Sequence, residues 1–364
     1  MLKRTIFLLL ILFSSPFTVF SKDIDLDSAY KKYHEILLEG LNSPEVTIKV
    51  EAIKILSELN DKSLIPEIKK FLKDKSDLVK IEAAKSLFKY KDKAGTAVLS
   101  EILKSRVKVS FDDTPVKRAR AMAKNMICAK AALALGESSD PSVIPLLNEV
   151  SKEKDGQIKD SAITALIKLG DKTRLKVIIS GLDNDEMSVR VKACQILGDL
   201  KEEKAKSKLM EFLKYWDKGV RQAAVIALGK FGDSQDGEAI RALLLDKEED
   251  VRAGAAEALG YIGDAKYVPQ LKSMLEDKNG FVRLYSAESL YKMGDLSGES
   301  FMTSVLRMDD ADARLKSVQL FSAYGNVTNI EFLDDAFLTE KNELVRLNMA
   351  CAIVKIIERE RKIK

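Results

Sequence analysis

The chain has one histidine, three cysteines and one tryptophan in 364 residues. A single imidazole, His34, cannot build a multi-histidine metal site or give one second-shell support, and a Ser-His-Asp or Cys-His arrangement would have to use it as its base. Charge of one sign is lacking too: 60 basic residues face 56 acidic ones, for a net charge of +4. A nucleic-acid binder carries a strong basic excess, so none is expected as a partner. Long apolar runs are missing as well, since Ile6–Phe13 is followed by serines and Pro16 and stops well short of the ~20 residues that span a bilayer. No Asp-rich loop has calcium-binding spacing.

Lys3 and Arg4 precede that short apolar run, and Val19, Phe20 and Ser21 offer a cleavage site ahead of Lys22. This is the pattern of an export signal, so residues 1–21 are expected to be removed and the mature chain, 22–364, to be periplasmic or secreted. No cysteine stands at the cut to carry a lipid. Exported chains often rely on disulfides, yet Cys128, Cys194 and Cys351 fall in copies of a repeat too far apart to pair.

That repeat is the strongest signal present. Ile127, Ile158, Val189, Val220, Val251, Val282 and Ala313 follow one another at 31-residue intervals, and each opens a segment like Val251–Asp264. Counting the opening residue as position zero, apolar residues recur at 0, +4, +5, +7, +8 and +11, one broad helical face. Glycine at +9 or +12 and aspartate at +13 end this helix, as in Gly232-Asp233 and Gly263-Asp264. The glycines of Gly229-Lys-Phe-Gly232 close a helix where a phosphate loop would open one. A second helix follows, with Pro66, Pro145 or Pro269 in its first turn. The ruler extends back to Val79 and Ile48 and forward to Val345, giving ten units. A fixed period of this size means stacked supersecondary units. At ordinary helix spacing the stack is expected to be an elongated, curved particle roughly 90–100 Å long, with the final helix as its end cap.

The pattern Asp-x-x-Val-Arg-x-x-Ala-x-x-Ala-Leu-Gly-x-Ile-Gly-Asp resembles the short HEAT-like repeats, including those named for phycobilisome lyases. The resemblance is clearest over 127–340 and implies an all-α solenoid, an armadillo-like or HEAT-like superhelix of about ten helix pairs. It implies that the Val-Arg helices line the concave face. It also implies that the basic residue at +1 (Arg190, Arg221, Arg252, Arg283, Arg314, Arg346) forms a structural ladder with acids of the preceding turn, Asp246 for Arg252 and Asp277 for Arg283, the alternative being an anion-binding stripe. Function is left open, because such repeats serve scaffolds, lyases and a metal hydroxylase. The hydroxylases use several His-Glu pairs, whereas this chain has only His34-Glu35. No catalytic residue, metal or cofactor is therefore expected, and the chain reads as a non-enzyme.

Two surfaces remain. Exposed positions on the inner helices place Ile226, Tyr261, Leu284, Tyr285 and Leu315 on a concave patch with a polar rim, the composition of a protein interface. The second is an insertion at about 104–124, where Arg106, Lys117, Arg118 and Arg120 lead a basic arm, and where Thr114-Pro115 predicts the start of an unusually long helix. Cations in the first turns of a helix oppose its dipole, which an acidic partner or anionic envelope surface would relieve. The expected function is a protein-binding scaffold or assembly factor of a bacterial envelope. The alternatives are an adaptor on an anionic lipid or envelope surface and, behind it, a lyase-like enzyme.

Overall fold

The computed structural model describes residues 25–363 apart from 109, 111, 154 and 155. The expected signal segment, 1–21, lies outside the described residues. Twenty α-helices and no strand are found among them. In chain order the first eight are α1 (Leu26–Gly40), α2 (Val46–Glu58), α3 (Ile65–Lys70), α4 (Asp77–Lys89), α5 (Gly95–Lys104), α6 (Pro115–Leu135), α7 (Ile144–Val150) and α8 (Gly156–Lys168). Six more are α9 (Leu175–Ser180), α10 (Met187–Leu200), α11 (Lys206–Phe212), α12 (Lys218–Phe231), α13 (Gly237–Ala242) and α14 (Glu249–Ile262). The last are α15 (Val268–Met274), α16 (Gly280–Lys292), α17 (Glu299–Val305), α18 (Ala311–Tyr324), α19 (Asn329–Thr339) and α20 (Glu343–Ile363).

The even-numbered helices carry the opening position of each repeat and pack on their successors, with the α8–α10 contact the weakest, while the odd-numbered helices lean on their even partners and stay apart. In a curved stack the layer of smaller radius is the one whose members crowd, so the even helices are the inner layer. Glycine serves this layer in two ways. A side chain at Gly229 would run into Ala258 of the next inner helix, at 2.5 Å from its Cα, so this position sets how closely α12 and α14 approach. Gly232 takes φ +75° and ends α12, after which the Asp233 side chain accepts from the Gln235 amide and starts the turn into α13. The prolines Pro66, Pro145 and Pro269 occupy first turns as expected.

The ends of the stack do not stay open. α20 packs on α1 and α2 as closely as neighbouring units pack elsewhere. One core joins Tyr33, Leu37, Ile53 and Leu56 to Phe337, Ile353, Val354 and Ile357. The Tyr33 and Phe337 rings meet edge-on at 5.2 Å, and Tyr30 donates to Glu358 at 3.3 Å. The expectation of an elongated particle with α20 as an end cap is therefore corrected. Among the described residues no inner helix precedes α1 and no outer helix follows α20, and α1 and α20 cover each other's apolar faces. Ten pairs close into a ring, and the stacking length becomes its circumference. With inner helices ~10 Å apart, opposite axes stand about 30 Å apart, around a lumen about 20 Å wide.

Between units runs the ladder, in a different register from the expected one. Arg221 forks onto Asp246 at 2.9 and 3.0 Å, and Arg252 onto Asp277 at 2.8 and 3.0 Å, acids that lie 25 residues later. The preceding turn supplies only carbonyls: Arg252 Nη1 donates to Asp246 O at 2.9 Å, and Arg283 Nη1 to Asp277 O at 2.7 Å. Each acid thus ties two successive cations, one by its carboxylate and one by its carbonyl. Glu340 repeats the arrangement with Arg314 and Arg346, while Asp74 supplies only the carboxylate half, to Lys49. In the unit where Cys128 replaces the cation, Arg106 reaches in from the insertion and bonds Glu153 at 3.0 Å and Glu149. All three cysteines are buried and unpaired.

Candidate functional site

An inner helix is covered by its outer partner and by a neighbour on each side, which leaves one stripe facing the lumen. Successive residues turn by about 100°, so positions −1, +6 and +10 fall together and +2 lies about 60° to the side, against the next helix. Residues at +10 alternate in sign from unit to unit: Glu58, Lys89, Glu137, Lys168, Asp199 and Lys230. Lys168 bonds Glu137 at 3.4 Å, Lys230 bonds Asp199, and Lys355 bonds Glu58 at 2.7 Å across the ring closure. Tyr261 then takes the place of an acid, with Lys292 lying 4.4 Å over its ring. Most of the belt's charges therefore satisfy one another, and Lys89 donates to the Ser57 hydroxyl at 3.1 Å.

One groove interrupts this belt, a cavity of about 420 Å³ across α10, α12 and α14. Its floor is the small residues Gly219, Ala223 and Ala227, and Gln195, Gln222, Ile226, Glu257 and Tyr261 stand around it. Two of the predicted patch residues, Ile226 and Tyr261, are thus brought together. Tyr261 donates to Glu257 at 3.0 Å, and burial together with that carboxylate pushes its hydroxyl above the ordinary range. Tyr285 is half-buried in the next unit under Lys316, whose ammonium lies 5.1 Å from the ring centroid and also bonds Glu288 at 2.8 Å. Burial works to raise the Glu288 carboxyl, but Lys316 and Lys292 overcome it and hold the group below the usual range.

Leu284 and Leu315 are corrections. Both stand at +2, and Leu284 is only 2% exposed within the core between α16 and α18. Leu315 is half-buried against the same core. The ruler did contain a signal for what was missed. Position −1 faces the lumen and holds Phe281, 54% exposed, and Met126, 50% exposed, with Met122 one turn further along the same stripe of α6.

The insertion is organised differently from a free basic arm. Thr114 caps α6 by accepting from the Lys117 amide, and the helix starts at Pro115 as predicted. Arg106 belongs to the ladder, its side chain 14% exposed between two glutamates, so it is removed from the candidate surface. Lys117 bonds Asp113 at 2.6 Å, and Lys124 bonds Asp77 at 2.8 Å. Arg118 and Arg120 form no ion pair among the described residues, although the Arg118 charge helps to hold the Asp113 carboxyl below its usual range.

The conspicuous chemical residues are occupied elsewhere. His34 stacks on Tyr30 in an outer helix, with ring centroids 5.5 Å apart. Burial pushes the Cys194 thiol up to about 12. No cluster of three His, Cys, Asp or Glu suited to a metal ion occurs among the described residues. Nor is any helix among them long and apolar enough to cross a membrane.

Among solved structures the chain is similar to human deoxyhypusine hydroxylase, at 19% identity over 74% of this chain and 98% of that one, with a TM-score of 0.35. It is similar to the complex of CpcE and CpcF of the phycocyanin lyase from Nostoc sp. PCC7120, at 19% identity over 71% and 94%, with a TM-score of 0.40. A designed armadillo repeat protein is 18% identical over 50% of this chain and 99% of its own, with a TM-score of 0.31. No curated protein matches. The family model for HEAT repeats matches residues 35–109, 175–253 and 237–320, which together make up more than half of the chain. The 31-residue ruler, the inner and outer helix layers and this match agree: the chain belongs to the HEAT-repeat family.

Proposed function

We propose that the ring is a non-enzymatic scaffold that holds a segment of a partner protein in its lumen, in the envelope of a bacterium once residues 1–21 are removed. The observation that carries this reading is the groove of Ile226 and Tyr261, flanked by Tyr285 and Phe281 in a lumen where Asp199–Lys230, Glu137–Lys168 and Glu58–Lys355 pair their charges. Aromatic and aliphatic anchors inside a polar surround are what proteins recognise in one another. A lumen about 20 Å wide accepts an extended strand or a single helix of 10–12 Å and turns away a folded domain. The mutually neutralised belt gives a polyanion no continuous positive track, in keeping with a polypeptide and not a nucleic acid as partner. The buried thiols and the stacked single histidine support a binding role over catalysis.

The direct test places a photo-cross-linking residue at Tyr261 and, separately, at Trp216, which is 72% exposed. Cross-linking in the exporting compartment should capture a partner from position 261 and not from 216. Equal capture from both sites would remove the lumen from consideration. A second reading is favoured by one observation: Arg118 and Arg120 form no ion pair among the described residues and stand beside exposed Val116 and Met122. On that reading the protruding turns of α6 dock on an anionic envelope surface.

A further inference from the structure

The ladder lacks an acid at more than one rung. Asp74, Glu153, Asp246, Asp277 and Glu340 stand five residues before their opening positions, whereas Asn184, Tyr215 and Met308 hold that place before Val189, Val220 and Ala313. The Tyr215 hydroxyl fills its rung by accepting from Arg190, and the Met308 thioether offers Arg283 no such acceptor. Met308 still supplies the rung's carbonyl, accepting from Arg314 Nη1 at 2.6 Å. It brings no carboxylate for Arg283, the cation 25 residues earlier.

Arg283 is nevertheless held like its siblings. Arg221 Nη1 donates to Tyr215 O and Trp216 O at 2.7 and 3.0 Å, and Arg252 Nη1 to Asp246 O and Lys247 O at 2.9 and 3.3 Å. Arg283 Nη1 donates to Asp277 O and Lys278 O at 2.7 and 3.3 Å. In Arg221 and Arg252 this clamp leaves Nε and Nη2 to grip a carboxylate in two parallel bonds. In Arg283 those donors have no protein acceptor among the described residues, and the guanidinium lies over the Phe301 ring, 5.2 Å from its centroid. Where the carboxylate would enter there is a cavity of about 520 Å³ between α15 and α17, lined also by Ser297, Ser300 and Ser304.

We propose that Arg283 is a carboxylate socket that binds an acidic side chain of a partner polypeptide as the missing rung. The planar fork of a guanidinium matches a carboxylate in two bonds, and here its orientation is fixed before the ligand arrives. Ser304 already donates to Phe301 O and the Ser297 hydroxyl to Asp295, which leaves the Ser300 hydroxyl to provide a further hydrogen bond, and the cavity exceeds the volume of a bare carboxylate, which favours a side chain carried on a chain. Glu276 lines the mouth without bonding the guanidinium and opposes an incoming anion by its charge. The socket lies among the outer helices, away from the lumen groove, so it neither needs the lumen reading nor stands in for it.

The test follows arginine Nε–H signals by NMR at constant ionic strength, with Arg283 assigned from its loss in Arg283→Lys. The probes are sodium acetate, inorganic phosphate, and a blocked five-residue peptide carrying one glutamate, with its glutamine twin as control. The Arg283 signal should shift saturably with the glutamate peptide, at least tenfold more tightly than with acetate, and stay put with the glutamine peptide. Signals of Arg221 and Arg252, whose rungs are filled, should not move. Met308→Asp supplies the rung from within, so it should abolish the shift while leaving the fold intact; Glu276→Gln should tighten binding. The proposal is overturned if the peptide produces no saturable shift, if phosphate alone does so, or if Met308→Asp binds like the parent. Acetate binding as tightly as the peptide would overturn the polypeptide assignment.

Discussion

Lys355 and Glu58 meet at 2.7 Å although 297 residues separate them, because the last inner helix lies beside the first. Both side chains are partly exposed, so the bond itself contributes little, and a surface pair of this kind is worth about 0–1 kcal/mol. The buried cluster behind it is what matters, and it makes the two ends of the chain depend on each other.

Removing α1 should therefore loosen α20, the helix most distant from it in sequence. In a chain truncated through Gly40, hydrogen exchange in residues 343–363 should lose protection as strongly as in α2, while α10–α14 stay protected. Unchanged exchange in α20 would show that the ends do not meet in solution.

The inner layer should respond to cavities like any close-packed core. Leu228 and Leu259 are fully buried, so Leu228→Ala or Leu259→Ala should cost ~2–5 kcal/mol by denaturant unfolding. A loss below ~1 kcal/mol would mean that these helices do not stack as described. His34→Ala should leave stability nearly unchanged, because His34 is only partly buried and makes a single stacking contact with Tyr30.

If the ring opens, it should open between α8 and α10 and not at the chain ends. These are the consecutive inner helices that touch least, and a cavity of about 290 Å³ lies between them, lined by Ile163 of α8 and Ala193 of α10. The Lys192–Asp160 bond at 2.6 Å crosses the gap. Peptides covering 187–196 should exchange faster than their counterparts at 218–227. Filling the cavity with Ala193→Val should slow that exchange.

Acid should weaken the turns before it weakens the core. Asp295 is held at about 2 by the Lys272 ammonium and the Ser297 bonds, against an ordinary value of 3.8. A carboxyl whose folded value is depressed stabilises the fold at neutral pH, and that contribution fades as pH falls from about 4 to about 2. Asp295→Asn can still cap the turn but loses the charge. It should melt below the parent at pH 7, by on the order of 1–2 kcal/mol after allowance for exposure, and the difference should vanish near pH 2.

The repeat was legible in the sequence because each position does the same job in every copy: Leu228 and Leu259 fill the layer, and Gly232 and Asp233 turn the chain. Ring closure was not, since whether ten units close depends on a small rotation per unit that no single residue encodes. The two described end helices held a hint, since α1 is of the outer kind and α20 of the inner kind. Leu284 misled because +2 looks like a surface position on an isolated helix and becomes a contact only when the neighbour arrives. Arg106 misled because charge counting cannot see Glu149 and Glu153, which are brought close by the fold.

The two candidate surfaces differ in physics, and that difference can decide between them. Tyr261, Tyr285 and Ile226 would hold a partner by apolar burial, which survives moderate salt, whereas Arg118 and Arg120 are charges near water whose reach shortens as the ionic strength rises. With the partner identified by cross-linking from position 261, Tyr261→Ala with Tyr285→Ala should weaken its binding at least tenfold. Arg118→Glu with Arg120→Glu should change it by less than threefold, and raising salt from 50 to roughly 300 mM should leave the parent affinity within about threefold. Tyr285 is half-buried, so circular dichroism and melting of the tyrosine variant must first show an intact ring; if they do not, Ile226→Ser, at the groove edge, takes its place. If the charge reversal abolishes binding while the groove variants bind normally, the protruding turns of α6 are the functional surface and the lumen is only a consequence of closure.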